Sequence, residues 1–395
     1  MGGWVLAKFD GQYTNNNKIN DICIGLLLML TGGLTACSQS NDTPATTQDT
    51  SQTSASQPSM TSVSTPTPAT IASSVHTASV PQTITHQINL YTSIDKKALT
   101  PLLADFTKKT DIKVVVTQDE PMSLLARLKA EGENSPADML LTEDVGVFHH
   151  AVEEGLLQAF SSDKSVANVP ERYRDPNGNW LALSYYARTA VYDSRMLINK
   201  DIISYADFAK AKWFQKLCIS QASYIPNQAL AVNLIDNLGE KKATEVLKGW
   251  LANVAVAPVL DDNAVMQAIE KGQCQVGIVN SHHYGDYLQA HPTTPIKLTW
   301  LNKGYGGLHT NITGVAIPKH TKHPETTLAL IEWLAQKPQQ ALYASLSKTF
   351  PMDKNTEASV LLKSWGDFEI NPMPVNDYAE KQKMAVDLLK DISYP

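Results

Sequence analysis

From Ile88 onward, hydrophobic and polar positions repeat with two distinct periods along the chain. Runs rich in β-branched residues predict strands at 88–93, 112–118 and 137–143, and apolar residues with helical spacing predict helices at 96–110 and 122–133. The order strand, helix, strand, helix, strand is the unit of an open parallel sheet. This part of the chain is therefore predicted to form an α/β lobe.

A second series of the same kind follows it. Strands are predicted at 216–223, 256–260 and 275–280, and helices at 227–239, 240–254 and 263–272. Two series in one chain predict two α/β lobes. Ligands of open parallel sheets bind beyond the carboxyl ends of the strands, so the residues that follow each strand are the first candidates for a site.

The first 86 residues follow a different pattern. The apolar run 22–34 is too short to span a bilayer but has the length of a signal-peptide core, and "LTAC" (34–37) resembles the lipobox of bacterial lipoproteins. This predicts a leader at 1–36, lipidation of Cys37 and a Gram-negative periplasmic location. An ordinary signal peptide or a short buried helix are the alternatives. Residues 37–86 are rich in Ser, Thr, Gln and Pro, which predicts a disordered tether.

Composition narrows the possible functions. The formal charge of −6 and the absence of clustered Lys and Arg argue against nucleic-acid binding. The sequence contains no HExxH, GxSxG or Walker motif, which argues against the corresponding enzyme classes. In the part of the chain predicted to fold, the cysteines are Cys218 and Cys274. They could pair in an oxidising compartment, but each lies in a strand-like run where an unpaired cysteine packs as a small hydrophobe, and we favour the unpaired state.

Polar residues gather at the predicted strand ends. Tyrosines, carboxylates and two histidines occur within 91–95, 142–144, 220–227 and 280–284. Oxygen and imidazole donors in this mixture suit a bound cation.

Five blocks of the chain resemble one family, the bacterial ferric-ion-binding periplasmic proteins of iron ABC transporters. The blocks are "LKAEGENSPADMLLTEDVG" (128–146), "ARTAVYDSR" (187–195), "AIEKGQCQVGIVNSHHYGDYL" (268–288), "GGLHTNITGVAIPKH" (306–320) and "ALIEWLAQKPQQALYA" (329–344). The resemblance implies a type II periplasmic binding protein fold, in which two α/β lobes are joined by two crossover strands, here near 184–192 and 309–318. It also implies a monomer without catalytic activity that presents its ligand to a membrane permease.

The implied domain organisation places the ligand between the lobes. The first lobe comprises 87–186 and 312–350, the second lobe 187–311, and a C-terminal helical segment, 351–395, packs on the second lobe. In the family, two consecutive tyrosines that commonly bind Fe(III) follow the strand that corresponds to 275–280. This chain has His282 and His283 there, followed by Tyr284.

Other ligand positions of the family also differ. A tyrosine position before Asn227 holds Pro226, with Tyr224 nearby, and a histidine position after the first strand holds Asp95. The acidic ligand of some members corresponds to Glu143. By the same resemblance, the residues expected to hold a companion anion are Arg188, Asn280 and Ser281. The arginine that partners Arg188 in relatives is replaced by Tyr186.

These differences change the expected metal. A phenol with a pKa near 10 needs a strongly acidic cation such as Fe(III), whereas imidazole coordinates while neutral. Histidines therefore move the site toward Fe(II), Zn(II), Mn(II) or Ni(II), with iron(III) still implied by the family and a synergistic anion possible. The candidate ligands are His282, His283, Glu143 and Asp95, with Tyr91, Tyr224 or Tyr284 as additions.

Other interpretations of these residues stay open. The two histidines could be the solvated start of a helix, Glu143 could cap the helix that follows it, and Arg188 could form an interlobe salt bridge. The main functional alternative keeps the fold and replaces the metal with a small organic solute such as thiamine, a polyamine or a phosphonate.

Overall fold

The computed structural model describes residues 86–301 and 306–395, so the expected leader, Cys37 lipidation site and tether lie outside the described residues. The strands in these ranges are β1 (Gln87–Thr92), β2 (Lys113–Gln118), β3 (Met139–Glu143), β4 (Leu157–Gln158), β5 (Trp180–Asp193), β6 (Leu217–Cys218), β7 (Val276–Asn280), β8 (Ile296–Thr299), β9 (Thr310–Pro318) and β10 (Phe350–Pro351). The α-helices are α1 (Lys96–Thr110), α2 (Pro121–Glu131), α3 (Val145–Glu153), α4 (Asp163–Val166), α5 (Ile225–Leu238), α6 (Glu240–Asn253), α7 (Asp262–Glu270), α8 (Ser281–Ala290), α9 (Pro324–Leu334), α10 (Lys337–Leu346), α11 (Val360–Ser364), α12 (Val375–Glu380) and α13 (Gln382–Asp391). None of these helices is both long and apolar enough to cross a membrane.

The strands form one mixed sheet in the order β2-β1-β3-β9-β5-β7-β6. At one end β1 pairs in parallel with β2 and β3, and at the other end β6 pairs in parallel with β7. Between them, β5 and β9 are antiparallel to each other and to their outer neighbours. We call the β1–β3 side the first lobe and the β6–β8 side the second lobe. The predicted α/β fold with two crossover strands is confirmed, and β5 and β9 are those strands.

The first lobe forms as the hydrophobic pattern predicts. In α1, Leu99, Leu102, Leu103 and Phe106 are buried on one side, at the i, i+3, i+4, i+7 spacing of an amphipathic helix. The Asp95 side chain accepts a hydrogen bond from the backbone N–H of Lys97, which satisfies a free donor at the start of the helix. Parallel pairing of β1 with β3 brings Thr92 beside Leu141, so both strands end at the same edge of the sheet.

Two strands predicted for the second lobe are wrong, one in its length and one in its existence. The 216–223 strand shortens to β6, because the chain turns after it and Asn227 Nδ2 donates to the carbonyls of Ser220 and Gln221. The 256–260 segment is not a strand and takes part only in an isolated bridge between Ser220 and Val259. Pro258 lies next to that bridge and has no N–H to donate, so the pairing does not extend.

The C-terminal helices contact both lobes. Helix α12 packs against α3, which follows the last strand of the first lobe, and also against α5 of the second lobe. Helix α13 packs mainly against α5. The last segment of the chain therefore lies across the two halves rather than on one alone.

Cys218 and Cys274 form a disulfide, so the favoured unpaired state is wrong. The parallel pairing of β6 with β7 places Cys218 opposite Gly277, and Cys274 lies just before β7 begins. Their Cα atoms are consequently 5.9 Å apart, within the range of a disulfide. The hydrophobic periodicity of the sequence indicates individual strands but not which strands pair, so it could not show that Cys218 and Cys274 lie close together.

Removing the disulfide is expected to destabilise the second lobe. The bridge closes a loop with a sequence separation of 56, so its loss frees the unfolded chain. We expect the Cys218→Ala, Cys274→Ala double variant to lose about 2–4 kcal/mol of unfolding free energy, measured by urea denaturation. Reductant should lower the stability of the wild type toward that of the variant and leave the variant unchanged. Equal stability of the two proteins in oxidising buffer would contradict the prediction.

Candidate metal centre

Two strand ends from different lobes meet beside the crossover strands. Glu143 is the last residue of β3 and pairs with Thr313 of β9, whereas Asn280 is the last residue of β7 and pairs with Arg188 of β5. Helix α8 begins at the next residue, Ser281. The adjacent crossover strands therefore hold the end of β3 and the start of α8 face to face.

The turn after β3 directs Glu143 toward this meeting point. Asp144 adopts a φ of 73°, a region that favours glycine, and its side chain accepts a hydrogen bond from the N–H of Gly146. Asp144, and not Glu143, is thus the cap of α3. The interpretation of Glu143 as the helix cap is wrong, and its carboxylate faces the second lobe.

Glu143, His282 and His283 form a compact group of donors. One ligand atom from each residue lies within 4.8 Å of the other two. His282 Nε2 lies 2.8 Å and His283 Nε2 lies 3.6 Å from Oε2 of Glu143. The histidine ring centroids are 4.1 Å apart, although side chains at successive helical positions ordinarily diverge. Both residues lie in the first turn of α8, directly after the extended backbone of Asn280, and both rings reach the same carboxylate.

The group is charged, with His282 buried and Glu143 and His283 partly exposed. Burial raises the pKa of the Glu143 carboxyl, but the charge of His283 and hydrogen bonds to both histidines outweigh burial and bring it below its ordinary value. Burial and the neighbouring charge of His283 lower the pKa of His282. Burial opposes the charge on His283, but Glu143 and Asp262 raise its pKa well above the usual value. An ionised carboxylate therefore faces two imidazoles at the edge of a cavity.

Asp262 holds His283 from the side opposite Glu143. Its Oδ2 atom accepts a hydrogen bond from His283 Nδ1 at 2.9 Å, which leaves Nε2 as the ring atom that faces Glu143. Burial raises the pKa of Asp262, but the charge of Arg188 and the hydrogen bond from His283 outweigh it, and the pKa lies below its ordinary value. Carboxylates in this position orient histidine ligands in many metal sites.

Arg188, expected to hold an anion, is already paired. Its side chain is 1% exposed, and its NH1 atom lies 3.1 Å from Oδ1 of Asp262. Three uncharged oxygens also accept from NH1 and NH2, whereas the buried Nε has no hydrogen-bond partner among the described residues. These oxygens are Asn280 Oδ1 at 2.9 Å, Asn227 Oδ1 at 2.6 Å and Ser220 Oγ at 3.2 Å. Ser281, the third expected anion residue, accepts a hydrogen bond from the backbone N–H of Ala187 through its Oγ.

Of the remaining candidate ligands, two lie near the donor group and two lie away from it. The hydroxyl of Tyr224 lies 3.4 Å from His283 Nδ1, and Asp95 lines the cavity of about 100 Å³ that also borders Glu143 and both histidines. Tyr91 and Tyr284 are not part of the group. The Tyr91 hydroxyl donates to Glu131, and the Tyr284 hydroxyl donates to the carbonyl of Ile296.

Sequence reasoning missed Asp262. It precedes an amphipathic segment and has the ordinary signal of a helix start, and it occupies the first position of α7. Its approach to His283 and Arg188 depends on α7 packing beside β7 and α8, which local sequence does not reveal. The consecutive carboxylates Asp261 and Asp262 could have indicated this role in the sequence. Asp261 alone caps the helix, which leaves the Asp262 carboxylate for another partner.

The fold is that of a two-lobed solute-binding protein, and a group of metal-type donors lies where its two lobes meet. Residues 102–370 match the model of the family described as bacterial extracellular solute-binding protein. The chain belongs to this family.

Individual relatives narrow the comparison. The chain is 30% identical over 289 residues to iron uptake protein A1 of Synechocystis sp., covering 72% of this chain and 80% of that protein. It is 22% identical over 303 residues to the major ferric iron-binding protein of Neisseria meningitidis serogroup B, covering 75% and 89% of the two chains. The resemblance to ferric-ion-binding periplasmic proteins is thereby confirmed.

Solved structures agree with the sequence relatives. A Trichodesmium IdiA/FutA protein in complex with iron and citrate matches with a TM-score of 0.73 and 28% identity, over 78% of this chain and 100% of that one. The open form of ferric iron-binding protein A from Mannheimia haemolytica matches with a TM-score of 0.72 and 30% identity, over 78% and 98% of the two chains.

Proposed function

We propose that the chain is the solute-binding component of an ABC importer and that it carries a transition-metal ion held by Glu143, His282 and His283. The observation that supports this most directly is the approach of three metal-type donors from two lobes to within 4.8 Å. The relatives named above are iron-uptake and ferric iron-binding proteins. Nothing in this role requires catalysis, because binding and presentation to a permease complete it.

The donor set suits a first-row ion without demanding Fe(III). Two imidazoles and one carboxylate are ligands that Fe(II), Zn(II) and Mn(II) accept in proteins. The relatives support iron as the cargo, and the replacement of consecutive tyrosines by histidines supports the divalent state. Tyr224, next to His283, is the phenol positioned to join if Fe(III) is bound.

Binding would act through closure of the two lobes. A ligand held from both sides favours the closed state by its differential affinity for that state. We propose that 87–186 with 312–350 moves as one lobe and 187–311 as the other, with β5 and β9 as the connection. The permease would recognise the closed form. Lipidation at Cys37 would keep the receptor at a membrane surface in the periplasm, tethered by residues 37–86.

A metal titration tests the proposed function directly. Protein stripped with chelator should gain about 4 kcal/mol of stability when the metal is present at about 1,000 times its dissociation constant, because only the folded chain offers the site. The measurement is urea unfolding with and without Fe(III), Fe(II), Zn(II) or Mn(II), alongside thiamine and spermidine. Elemental analysis of protein purified without chelator identifies the bound ion. Stabilisation by an organic solute alone would overturn the proposal.

Glu143→Gln isolates the contribution of the first lobe. The variant keeps the shape of the side chain but removes the charge that faces both histidines. We expect metal affinity to fall by at least about tenfold, since even groups that only orient a ligand affect affinity this much. Glu153→Gln, a matched change at the end of α3 where the side chain is 62% exposed, should bind like the wild type. Equal affinity of both variants would remove Glu143 from the site.

A further inference from the structure

A buried ion pair stands beside the donor group where an external anion was expected. The Arg188 and Asp262 side chains are each 1% exposed, and NH1 of Arg188 bonds to both carboxylate oxygens of Asp262 at 3.1 and 3.2 Å. The backbone N–H of Asn280 donates to Oδ2 of Asp262 at 2.7 Å. An anion that bound NH1 of Arg188 would have to displace a carboxylate that the fold already holds from several directions.

The same carboxylate is part of the donor group's support. Oδ2 of Asp262 accepts from Nδ1 of His283, and Nε2 of His283 points toward Glu143. Asp262 therefore connects Arg188 to a candidate ligand through one side chain. Asp262 thus orients His283 from within the chain, as carboxylates hydrogen-bonded to histidine ligands do in many metal sites.

The approach to the site is acidic. The cleft opens into a cavity of about 510 Å³, and the described residues that line it include no Lys or Arg. Its carboxylates are Glu120, Glu143, Asp261, Asp262 and Asp286. Lys348 borders the smaller inner cavity but lies 2.8 Å from Asp286 and is paired with it. Such a cleft attracts free cations and repels ligands of net negative charge.

We propose that this receptor takes its metal as a free cation without a companion anion, because the Asp262 carboxylate already occupies NH1 of Arg188 and orients His283 from within the chain. The inference rests on the proposed function and adds the form of the cargo. It sets this chain apart from the Trichodesmium structure, which contains citrate together with iron. Asp262 is a positioning residue, since it acts on the metal through His283.

The wild-type protein tests the proposal without any substitution. Chelator-stripped protein is loaded with Zn(II) or Fe(II) in a chloride buffer, then with added bicarbonate or phosphate, and native mass spectrometry gives the mass of the complex. We expect one metal ion per chain, no retained anion and an unchanged dissociation constant. Stoichiometric retention of an added anion, or tighter binding in its presence, would overturn the inference. Failure to bind any metal in any buffer would instead overturn the proposed function.

Substitutions at Asp262 give a second, independent readout. Asp262→Ala leaves space beside Arg188, so we expect metal affinity to fall by about 10- to 100-fold and to recover with added formate or acetate. The Asp262→Asn side chain fills that space, so this variant should lose metal affinity and should not regain it when formate or acetate is added. Asp261→Asn removes the same charge one residue away, retains a helix cap and should stay independent of anions. Asp262→Ala with wild-type affinity, or a loss that no anion restores in a folded protein, would count against the proposal.

Discussion

Replacing His282 and His283 together with alanine is expected to abolish the metal-induced stabilisation of the protein. The two residues provide all the imidazole donors of the group, and Glu143 alone cannot hold an ion against water. The stabilisation of about 4 kcal/mol expected for the wild type at about 1,000 times the dissociation constant should therefore disappear. Urea unfolding with and without metal measures this effect. Small-angle scattering should show closure on metal addition for the wild type and none for the variant.

The chain offers a matched control in another adjacent histidine pair. His149 and His150 lie in α3, and neither belongs to the donor group. His149→Ala with His150→Ala should leave both the stabilisation and the closure at wild-type levels. If the His282, His283 variant still closes with metal, these residues are not the ligands and the proposed site is wrong.

Arg188→Met is expected to cause the largest loss of stability among single substitutions in the site. The change leaves the Asp262 carboxylate buried without its cationic partner, and removing one member of a buried pair costs about 3–5 kcal/mol. Urea unfolding of the metal-free protein measures the loss. Adding Asp262→Asn to this variant should recover part of the stability, because no uncompensated charge then remains.

An exposed ion pair provides the comparison for Arg188. Arg127 lies 2.8 Å from Glu131 on α2, and its side chain is 47% exposed. Arg127→Met should cost about 1 kcal/mol or less, because water screens and replaces such a pair. Similar losses for the two arginine variants would show that burial of the Arg188–Asp262 pair has no energetic consequence.

The first lobe could be predicted closely from the sequence because its signals are local. The β-branched runs and the helical spacing that starts at Lys96 correspond to β1, α1, β2, α2 and β3. The second lobe was less predictable. Pro258 interrupts a run that otherwise looks like a strand, and the chain after Cys218 turns to place Ser220 and Asn227 around Arg188. Tertiary contacts decide these segments, and hydrophobic periodicity does not describe them.

The residues of the candidate site also fall into those that the sequence predicts and those that it does not. His282, His283 and Glu143 could be found because each lies at or just after the end of a strand that reaches the cleft. Tyr91 lies near the end of β1 but outside the group, since its hydroxyl donates to Glu131 on α2. Strand position therefore indicates which residues reach an edge of the sheet. Side-chain direction and the partners contributed by other elements decide which of them meet.

The contact between His282 Nε2 and Glu143 Oε2 has a consequence for release of the bound ion. At 2.8 Å these atoms already satisfy each other across the lobes, so an incoming ion has to separate them before it can bind both. The free energy of that contact is subtracted from the affinity for the cargo and regained when the ion leaves. Under the proposed function, this contact would act as an internal competitor of the ion and would favour release of the ion at the permease over its retention.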